Sequence, residues 1–183
     1  MQLIPIDDSR RIWQVKDFFS SAEHQCLESY DWLNLPWSRG PSQESWKRRL
    51  LDFNHPDIKH ISQVGISKLP EINDMLGTSF RDMGVNWWID EPGFSVCIHT
   101  DGEIPCAMQI YHHVPGDQWG TCFYNFKSES HVRHQFLSTP NTGYLVLNHR
   151  NIDGSQPLHW HGMMNPVPEN TWRLSSYWFF DLG

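Results

Sequence analysis

The chain has 183 residues and a formal net charge of −7, a length that suits one domain with its own hydrophobic core. The negative charge argues against nonspecific binding to nucleic acid or acidic membranes, because both partners require a basic surface. The sequence also lacks the long apolar run of a transmembrane helix and the start of a signal peptide. We therefore expect a soluble, cytoplasmic protein.

Cysteine, tryptophan and histidine usage narrows the class of protein further. Cys26, Cys97, Cys106 and Cys122 are scattered without a CxxC pair, which predicts reduced core thiols rather than disulfides or zinc ligands. Ten tryptophans indicate a sheet-rich core or an aromatic-lined pocket. With eleven histidines in the chain, a metal site has to be selected by geometry.

Helices are predicted in the first half of the chain. Ser20 and Glu23 form a capping-box pattern that begins a helix of about ten residues. Pro56 stands at a plausible first helical position of a second helix. Pro70 is expected to end or kink that helix.

The segment 33–50 mixes Gly, Pro, Ser and aromatic residues. It is a candidate for a flexible lid over a substrate or, equally, for an ordinary surface loop. Its part 38–45 is rich in turn formers and predicts a mobile loop. The basic cluster "WKRRL" at 46–50 is predicted to be a solvated turn or helix face rather than a basic groove.

After residue 84 the chain consists of short segments rich in β-branched and aromatic residues, each bounded by Gly, Pro, Asn or Asp. Eight such segments predict a β-sandwich or jelly-roll barrel. They are VNWWIDE, GFSVCIH, CAMQIYHHV, GTCFYNF, VRHQFL, GYLVLNH, PLHWHGM and WRLSSYWFFDL. We expect a single domain, 1–183, that is mainly β with N-terminal helices, with 1–84 as helical and loop support and 85–183 as the β core.

A histidine and a carboxylate, His99 and Asp101, end the second of these segments. Residues i and i+2 of a strand share a face, so the two side chains are neighbouring candidate ligands for a metal. With His159 or His161 from a distant strand they would form the facial triad of non-heme Fe(II) oxygenases. On its own, such a pair more often forms a structural His–Asp hydrogen bond.

Arg173 and Ser175 share a face of the last, aromatic-rich segment. An arginine buried there requires an anion, and its planar guanidinium suits two parallel hydrogen bonds to a carboxylate. The Ser175 hydroxyl could donate another hydrogen bond. A structural Asp, or solvent, is the alternative partner for Arg173.

The order of these features resembles the 2-oxoglutarate- and iron(II)-dependent oxygenases: HxD, about sixty residues, a histidine, then Arg-x-Ser about a dozen residues later. The stretches that carry the resemblance are PGFSVCIHTDG, TGYLVLNHRN (142–151), and HGM followed by PV and WRLSSYWF. It covers about residues 85 to 181. It implies a double-stranded β-helix, the jelly-roll or cupin-like core.

The resemblance also implies the ligands of an iron site. His99, Asp101 and His161 would bind Fe(II). His161 is preferred to His159 because a glycine and a methionine follow it, as a small and an apolar residue often do in the family.

The resemblance further implies a 2-oxoglutarate site. Arg173 would hold the distal carboxylate, helped by Ser175, and Tyr111, or secondly Gln109, would supply another contact. The implied activity is hydroxylation of a C–H bond by O2, with release of succinate and CO2. The substrate would be an amino acid, a peptidyl residue such as proline, or a small metabolite, and oligomeric state stays open.

Some positions depart from the family pattern. Trp119–Gly120 replaces the usual Gly-Gly turn, Arg173 stands where collagen-type prolyl 4-hydroxylases have lysine, and the Arg-rich ending of the nucleic-acid demethylases is absent. Three alternatives therefore remain. They are a cupin-like metalloenzyme without 2-oxoglutarate, a non-catalytic β-sandwich binding module, and a degenerate oxygenase fold that binds metal without turnover.

Overall fold

The computed structural model describes residues 1–39, 47–52, 54–102, 104–148 and 159–182. Within these ranges it contains ten β-strands and three α-helices. The strands are β1 Gln2–Pro5, β2 Ile12–Lys16, β3 Arg48–Asp52, β4 Asp82–Asp90, β5 Cys106–His113, β6 Thr121–Tyr124, β7 Val132–Gln135, β8 Thr142–Leu147, β9 Trp160–Met163 and β10 Arg173–Asp181. The helices are α1 Ser21–Glu28, α2 Pro56–Ile66 and α3 Leu69–Leu76.

Two antiparallel sheets form the double-stranded β-helix core. The large sheet has the strand order β1-β2-β8-β5-β10-β4-β3, and the small sheet has the order β7-β6-β9. Phe123 of the small sheet packs with Tyr144 and Tyr177 of the large sheet in an aromatic cluster between them. The mainly β, jelly-roll class predicted from the sequence is confirmed.

The other face of the large sheet packs against the helices. Trp87 of β4 donates its indole N–H to the Ser62 hydroxyl of α2 at 2.9 Å, and Trp178 of β10 lies directly against Gly65 of α2. Since side chains alternate along a strand, burying Trp178 under α2 turns Arg173, Ser175 and Tyr177 toward the space between the sheets.

The predicted helix starts are confirmed. The Ser20 hydroxyl accepts a hydrogen bond from the Glu23 amide, and the Glu23 carboxylate accepts one from the Ser20 amide, which completes the capping box of α1. Pro56 is the first residue of α2. Pro70, however, does not end α2, which already stops at Ile66; it lies in the first turn of α3, where a missing amide proton leaves no bond unmade.

The strand predictions are confirmed for seven of the eight segments. The exception is GFSVCIH, where only His99 forms a β-bridge. Three strands that were not predicted, β1, β2 and β3, come from the part of the chain expected to be helices and loops. They are four or five residues long.

The cysteines divide into two pairs. All four are free thiols, as predicted, but only Cys106 and Cys122 are buried. Cys26 and Cys97 are exposed, so the expectation of core thiols is wrong for them. In addition, none of the helices described here has the length and apolar character needed to cross a bilayer.

Candidate functional site

His99, Asp101 and His161 lie together at one edge of the small sheet. The Nε2 atoms of His99 and His161 lie 3.7 and 3.4 Å from the same oxygen, Oδ1 of Asp101. One potential ligand atom from each residue lies within 4.8 Å of the other two. His159, which lies just before β9, is not part of this group. Two imidazoles and one carboxylate are the donor set of a facial triad.

Backbone carbonyls orient both imidazole rings. Nδ1 of His99 lies 2.9 Å from the carbonyl oxygen of Cys97, and Nδ1 of His161 lies 2.9 Å from that of His159. A carbonyl can only accept, so each Nδ1 carries the proton and donates it. This tautomer leaves the Nε2 lone pair of each histidine directed at the third ligand, as a metal requires.

The two ligand segments are joined by backbone hydrogen bonds. The His99 amide donates to the His161 carbonyl at 2.9 Å, the reverse bond is 2.8 Å, and the Met163 amide donates to the Val96 carbonyl at 3.0 Å. Two residues on the His99 side, Cys97 and Ile98, thus lie opposite one residue of β9, which is a bulge. A Cβ atom on the intervening Gly162 would lie 3.0 Å from two carbonyl oxygens, so this position favours glycine. The bulge is also the reason why the predicted strand does not form.

The carboxylate and the imidazoles of this group shift each other's pKa values. Burial favours the neutral form of Asp101, but the neighbouring His161 and His99 side chains hold the pKa of this carboxyl well below its usual value. The nearby carboxylate of Asp101 raises the pKa of His99. The second oxygen of Asp101, Oδ2, is buried and accepts no hydrogen bond within the part of the chain that the structure describes. Because a buried carboxylate oxygen needs a partner, this atom and the two Nε2 lone pairs fit a divalent cation.

A cluster with a net positive charge borders the same cavity. Arg173 donates from Nε and Nη2 to Oδ2 of Asp90, at 2.9 and 2.6 Å, and from Nη1 to the carbonyl oxygen of Trp119 at 2.5 Å. Both Arg173 and Asp90 are fully buried. Arg173 therefore lines the cavity, as its position on β10 predicts. Its partner is a structural aspartate, Asp90, which was one of the alternatives considered for this arginine.

Arg48 completes this cluster, although "WKRRL" was predicted to be a solvated turn or helix face. That expectation is wrong for Arg48, which lies on β3, is 7% exposed and donates to Oδ1 and Oδ2 of Asp90 at 2.5 and 3.1 Å. Register explains the contact, because Arg48 and Arg173 are paired with Asp90 from the two strands that flank β4. Burial alone would raise the pKa of Asp90, but the two guanidiniums keep it below its usual value.

The other predicted cosubstrate residues form a hydrogen-bonded network next to Arg173. Gln109 donates to the Ser175 hydroxyl at 3.0 Å and accepts from the Thr121 hydroxyl at 3.3 Å. The Tyr111 hydroxyl donates to Thr121 at 2.9 Å and accepts from the Thr121 amide at 2.8 Å. Gln109 and Thr121 line the cavity. Ser175 and Tyr111 are fully buried and reach the cavity through them.

A cavity of about 590 Å³ connects the triad with the arginine cluster. Its aromatic wall consists of Trp88, Tyr144 and Tyr177, and none of these was singled out from the sequence. Trp88 and Tyr177 stack with ring centroids 4.7 Å apart. Burial and the negative charge of Asp101 raise the pKa of Tyr177, so this phenol stays a neutral hydrogen-bond donor. Trp88 and Tyr177 alternate with the buried Trp87 and Trp178 along β4 and β10. This alternation is the sequence signal that could have identified Trp88 and Tyr177 as cavity residues.

No protein-family model matches the sequence, and no curated protein matches it. The structure is nevertheless similar to solved structures. A prolyl-4-hydroxylase from Pseudomonas putida has a TM-score of 0.63 at 15% identity, over 93% of this chain and 91% of that chain. The viral collagen prolyl hydroxylase vCPH from Paramecium Bursaria Chlorella virus-1, in a 2-oxoglutarate complex, has a TM-score of 0.63 at 14% identity, over 96% and 98% of the two chains.

HygX from Streptomyces hygroscopicus, with nickel, 2-oxoglutarate and hygromycin B bound, has a TM-score of 0.62 at 11% identity, over 93% of this chain and 83% of that chain. The identities of these proteins to this chain are low. What they share with it is the architecture that the sequence motifs indicated. The chain has the fold of the 2-oxoglutarate- and Fe(II)-dependent oxygenases.

Proposed function

We propose that the protein is an Fe(II)- and 2-oxoglutarate-dependent oxygenase that hydroxylates a C–H bond of a small molecule or a peptide. The observation that carries the proposal is a cavity lined both by the His-Asp-His group and by the buried arginines Arg48 and Arg173. A metal ion bound by His99, Asp101 and His161 would keep open positions toward this cavity. The arginines would then receive the distal carboxylate of the cosubstrate.

The charges of the cavity support this assignment. The guanidiniums of Arg48 and Arg173 balance the carboxylates of Asp90 and Asp101, so a divalent ion leaves an excess of two positive charges. The 2-oxoglutarate dianion carries two negative charges. The metal and the cosubstrate together are thus electrically neutral in a buried site, where an unbalanced charge is costly.

The residues of the chain have distinct parts in this chemistry. When bound, Fe(II) and 2-oxoglutarate supply the oxidation by O2, with succinate and CO2 as the other products. His99, Asp101 and His161 hold the metal, Arg173 fixes the far end of the cosubstrate, and Gln109 presents its amide to the same region of the cavity. Trp88, Tyr144 and Tyr177 exclude water from the site and leave space for a substrate beside it.

Anaerobic titration tests this function. Protein mixed with Fe(II) and 2-oxoglutarate is expected to develop the visible metal-to-ligand charge-transfer band of the chelate and, once O2 is admitted, to release succinate. His99→Ala and Asp101→Ala should lose the band and the succinate while circular dichroism stays unchanged. Arg173→Ala should mainly weaken the binding of 2-oxoglutarate.

A matched control comes from a histidine remote from the cavity. His131 is exposed, and His131→Ala should retain the band at wild-type intensity. If the wild-type protein shows no band, or if the band survives in Asp101→Ala, the proposed function is wrong. If the protein is active, the mass of the product after turnover with panels of peptides and free amino acids would identify the substrate.

A further inference from the structure

The two buried arginines of the cavity are not equally engaged. Arg173 uses Nε, Nη1 and Nη2 in hydrogen bonds to Asp90 and the Trp119 carbonyl. Arg48 uses Nε and Nη2 for Asp90, and among the described residues no acceptor is found for its Nη1. The arginine implied by the family resemblance is therefore the more occupied one, and the spare donor edge belongs to Arg48.

Two aromatic rings pack against the Arg48 guanidinium. Its guanidinium carbon lies 3.8 Å from the ring centroid of Trp88 and 4.3 Å from that of Phe94. Such stacking fixes the plane of a guanidinium without using its N–H groups. Phe94 also contacts the Arg173 guanidinium, at 5.8 Å. The two cations are thus adjacent, and Asp90 neutralises only one of them.

We propose that Arg48 is a ligand-binding residue of the cavity and that it donates to a carboxylate, which we assign to the distal carboxylate of 2-oxoglutarate. This inference rests on the proposed function. One carboxylate placed against Arg48 and Arg173 would balance the remaining positive charge of the cluster. It would also give the spare Nη1 of Arg48 the acceptor that a nearly buried guanidinium needs.

The residue pair Arg48 and Arg49 offers a matched experiment. Arg48→Met retains the apolar stem against Trp88 and leaves Asp90 paired with Arg173, so no buried charge of this cluster loses its partner and the variant is expected to fold. Arg49, its neighbour on β3, forms an ion pair with Glu91 at 3.0 Å instead and does not line the cavity. Arg49→Met is the control. Arg48→Lys, which retains the charge but not the fork, is the second variant.

Binding is measured by calorimetry on the Ni(II)-loaded proteins, so that no turnover is required. The probes are 2-oxoglutarate and 2-oxobutyrate, which has the same keto-acid end but no distal carboxylate. Loss of a charge-assisted hydrogen bond is expected to raise the Kd for 2-oxoglutarate about tenfold or more in Arg48→Met. The Kd for 2-oxobutyrate, and both values in Arg49→Met, should stay unchanged. Arg48→Lys should lie between Arg48→Met and wild type.

The outcomes separate the possible sources of the carboxylate. If the Kd for 2-oxoglutarate stays unchanged in Arg48→Met but the enzyme loses a preference for free amino acids over their amides, Arg48 binds a carboxylate of the substrate. If neither property changes, the inference is wrong while the proposed function survives. If Arg48→Met does not fold, an unchanged Kd in Arg48→Lys overturns the inference. Failure of wild type to bind 2-oxoglutarate would instead refute the proposed function.

Discussion

Asp90 is the carboxylate on which two buried guanidiniums depend. Its replacement by asparagine would leave Arg48 and Arg173 without a counter-ion in a site with almost no solvent access. Breaking a buried ion pair from one side typically costs 3–5 kcal/mol, so Asp90→Asn should lower the free energy of unfolding by about 3 kcal/mol or more. Urea denaturation measures this loss.

The control for Asp90 is an exposed aspartate. Asp117 lies in a 3-10 turn at the surface, and Asp117→Asn should change the free energy of unfolding by less than about 0.5 kcal/mol. Equal stability of the two variants would mean that Arg48 and Arg173 find other partners or water in the absence of Asp90.

His112 makes stability depend on pH. It is buried, its Nε2 lies 2.7 Å from the Ser176 hydroxyl, and burial keeps its pKa well below 6.5. The unfolded chain therefore binds a proton near pH 6.5 that the folded protein does not bind. The contribution of neutral His112 to the free energy of unfolding is fully present above pH 6.5. It declines as the pH falls below that value, by up to about 1.4 kcal/mol per pH unit.

Substitution isolates the contribution of this histidine. Between pH 7 and pH 5, His112→Gln should lose less of its free energy of unfolding than wild type, as measured by urea denaturation at both pH values. The exposed His131 provides the comparison, since His131→Gln should retain the wild-type pH dependence. Parallel pH profiles for wild type and His112→Gln would rule out His112 as the group responsible.

At the scale of elements, the contact between α2 and β10 depends on the absence of a side chain at Gly65. A Cβ atom there would lie 2.0 Å from the indole ring of Trp178, and Trp178 is fully buried. Alanine is the better helix former by about 1 kcal/mol, but the overlap must be relieved by moving packed groups. Gly65→Ala should therefore destabilise the protein by about 1–3 kcal/mol.

The sign of the effect decides this prediction. Thermal unfolding of Gly65→Ala is compared with that of Gln63→Ala, a substitution at an exposed position of the same helix, which should be neutral or slightly stabilising. A rise in Tm for Gly65→Ala would mean that α2 can shift on the sheet, and that helix propensity outweighs packing at this contact.

Local sequence signals predicted the elements whose cause is local. Ser20 and Glu23 cap α1 through bonds three residues apart, and Pro56 begins α2 by its own backbone geometry. The bulge opposite Gly162 arises from pairing between residues more than sixty positions apart, and no pattern within GFSVCIH reveals it. For the same reason β3 was missed, because its partner β4 is distant in sequence.

At the scale of the whole molecule, the candidate site could be predicted only in part. The spacing of His99, Asp101 and His161 follows from ligand chemistry, and the structure brings these three residues together. Arg48 and Asp90 become neighbours of Arg173 only through the strand order β10-β4-β3. Sheet topology is a global property, and a basic cluster read alone gives no indication of it.

Ligand binding should stabilise the entire fold. A ligand that binds only the folded state, present at about 100 times its Kd, adds about 2.7 kcal/mol to the free energy of unfolding. For a chain of this length that corresponds to a rise in Tm of about 5–10 °C. Wild type should show this rise with Ni(II) and 2-oxoglutarate together, in differential scanning fluorimetry.

Asp101→Ala removes one proposed metal ligand and should give no more than a small rise under the same conditions. His131→Ala should respond as wild type does. An equal rise in Asp101→Ala would place the bound metal elsewhere in the protein.

The bulged segment beside β9 has a consequence for amide exchange. Residues 93–99 are bonded to β9 and the loop that follows it, while β10 is paired along its length with strands on both sides. The segment 93–99 can therefore separate from β9 without breaking the hydrogen bonds of the large sheet. In metal-free protein the amide hydrogens of His99 and His161 should exchange with deuterium faster than that of Tyr177. A metal ion bound by both segments would hold them together and slow the exchange of these two amides. Exchange at His99 and His161 would therefore report on metal loading without any assay of turnover.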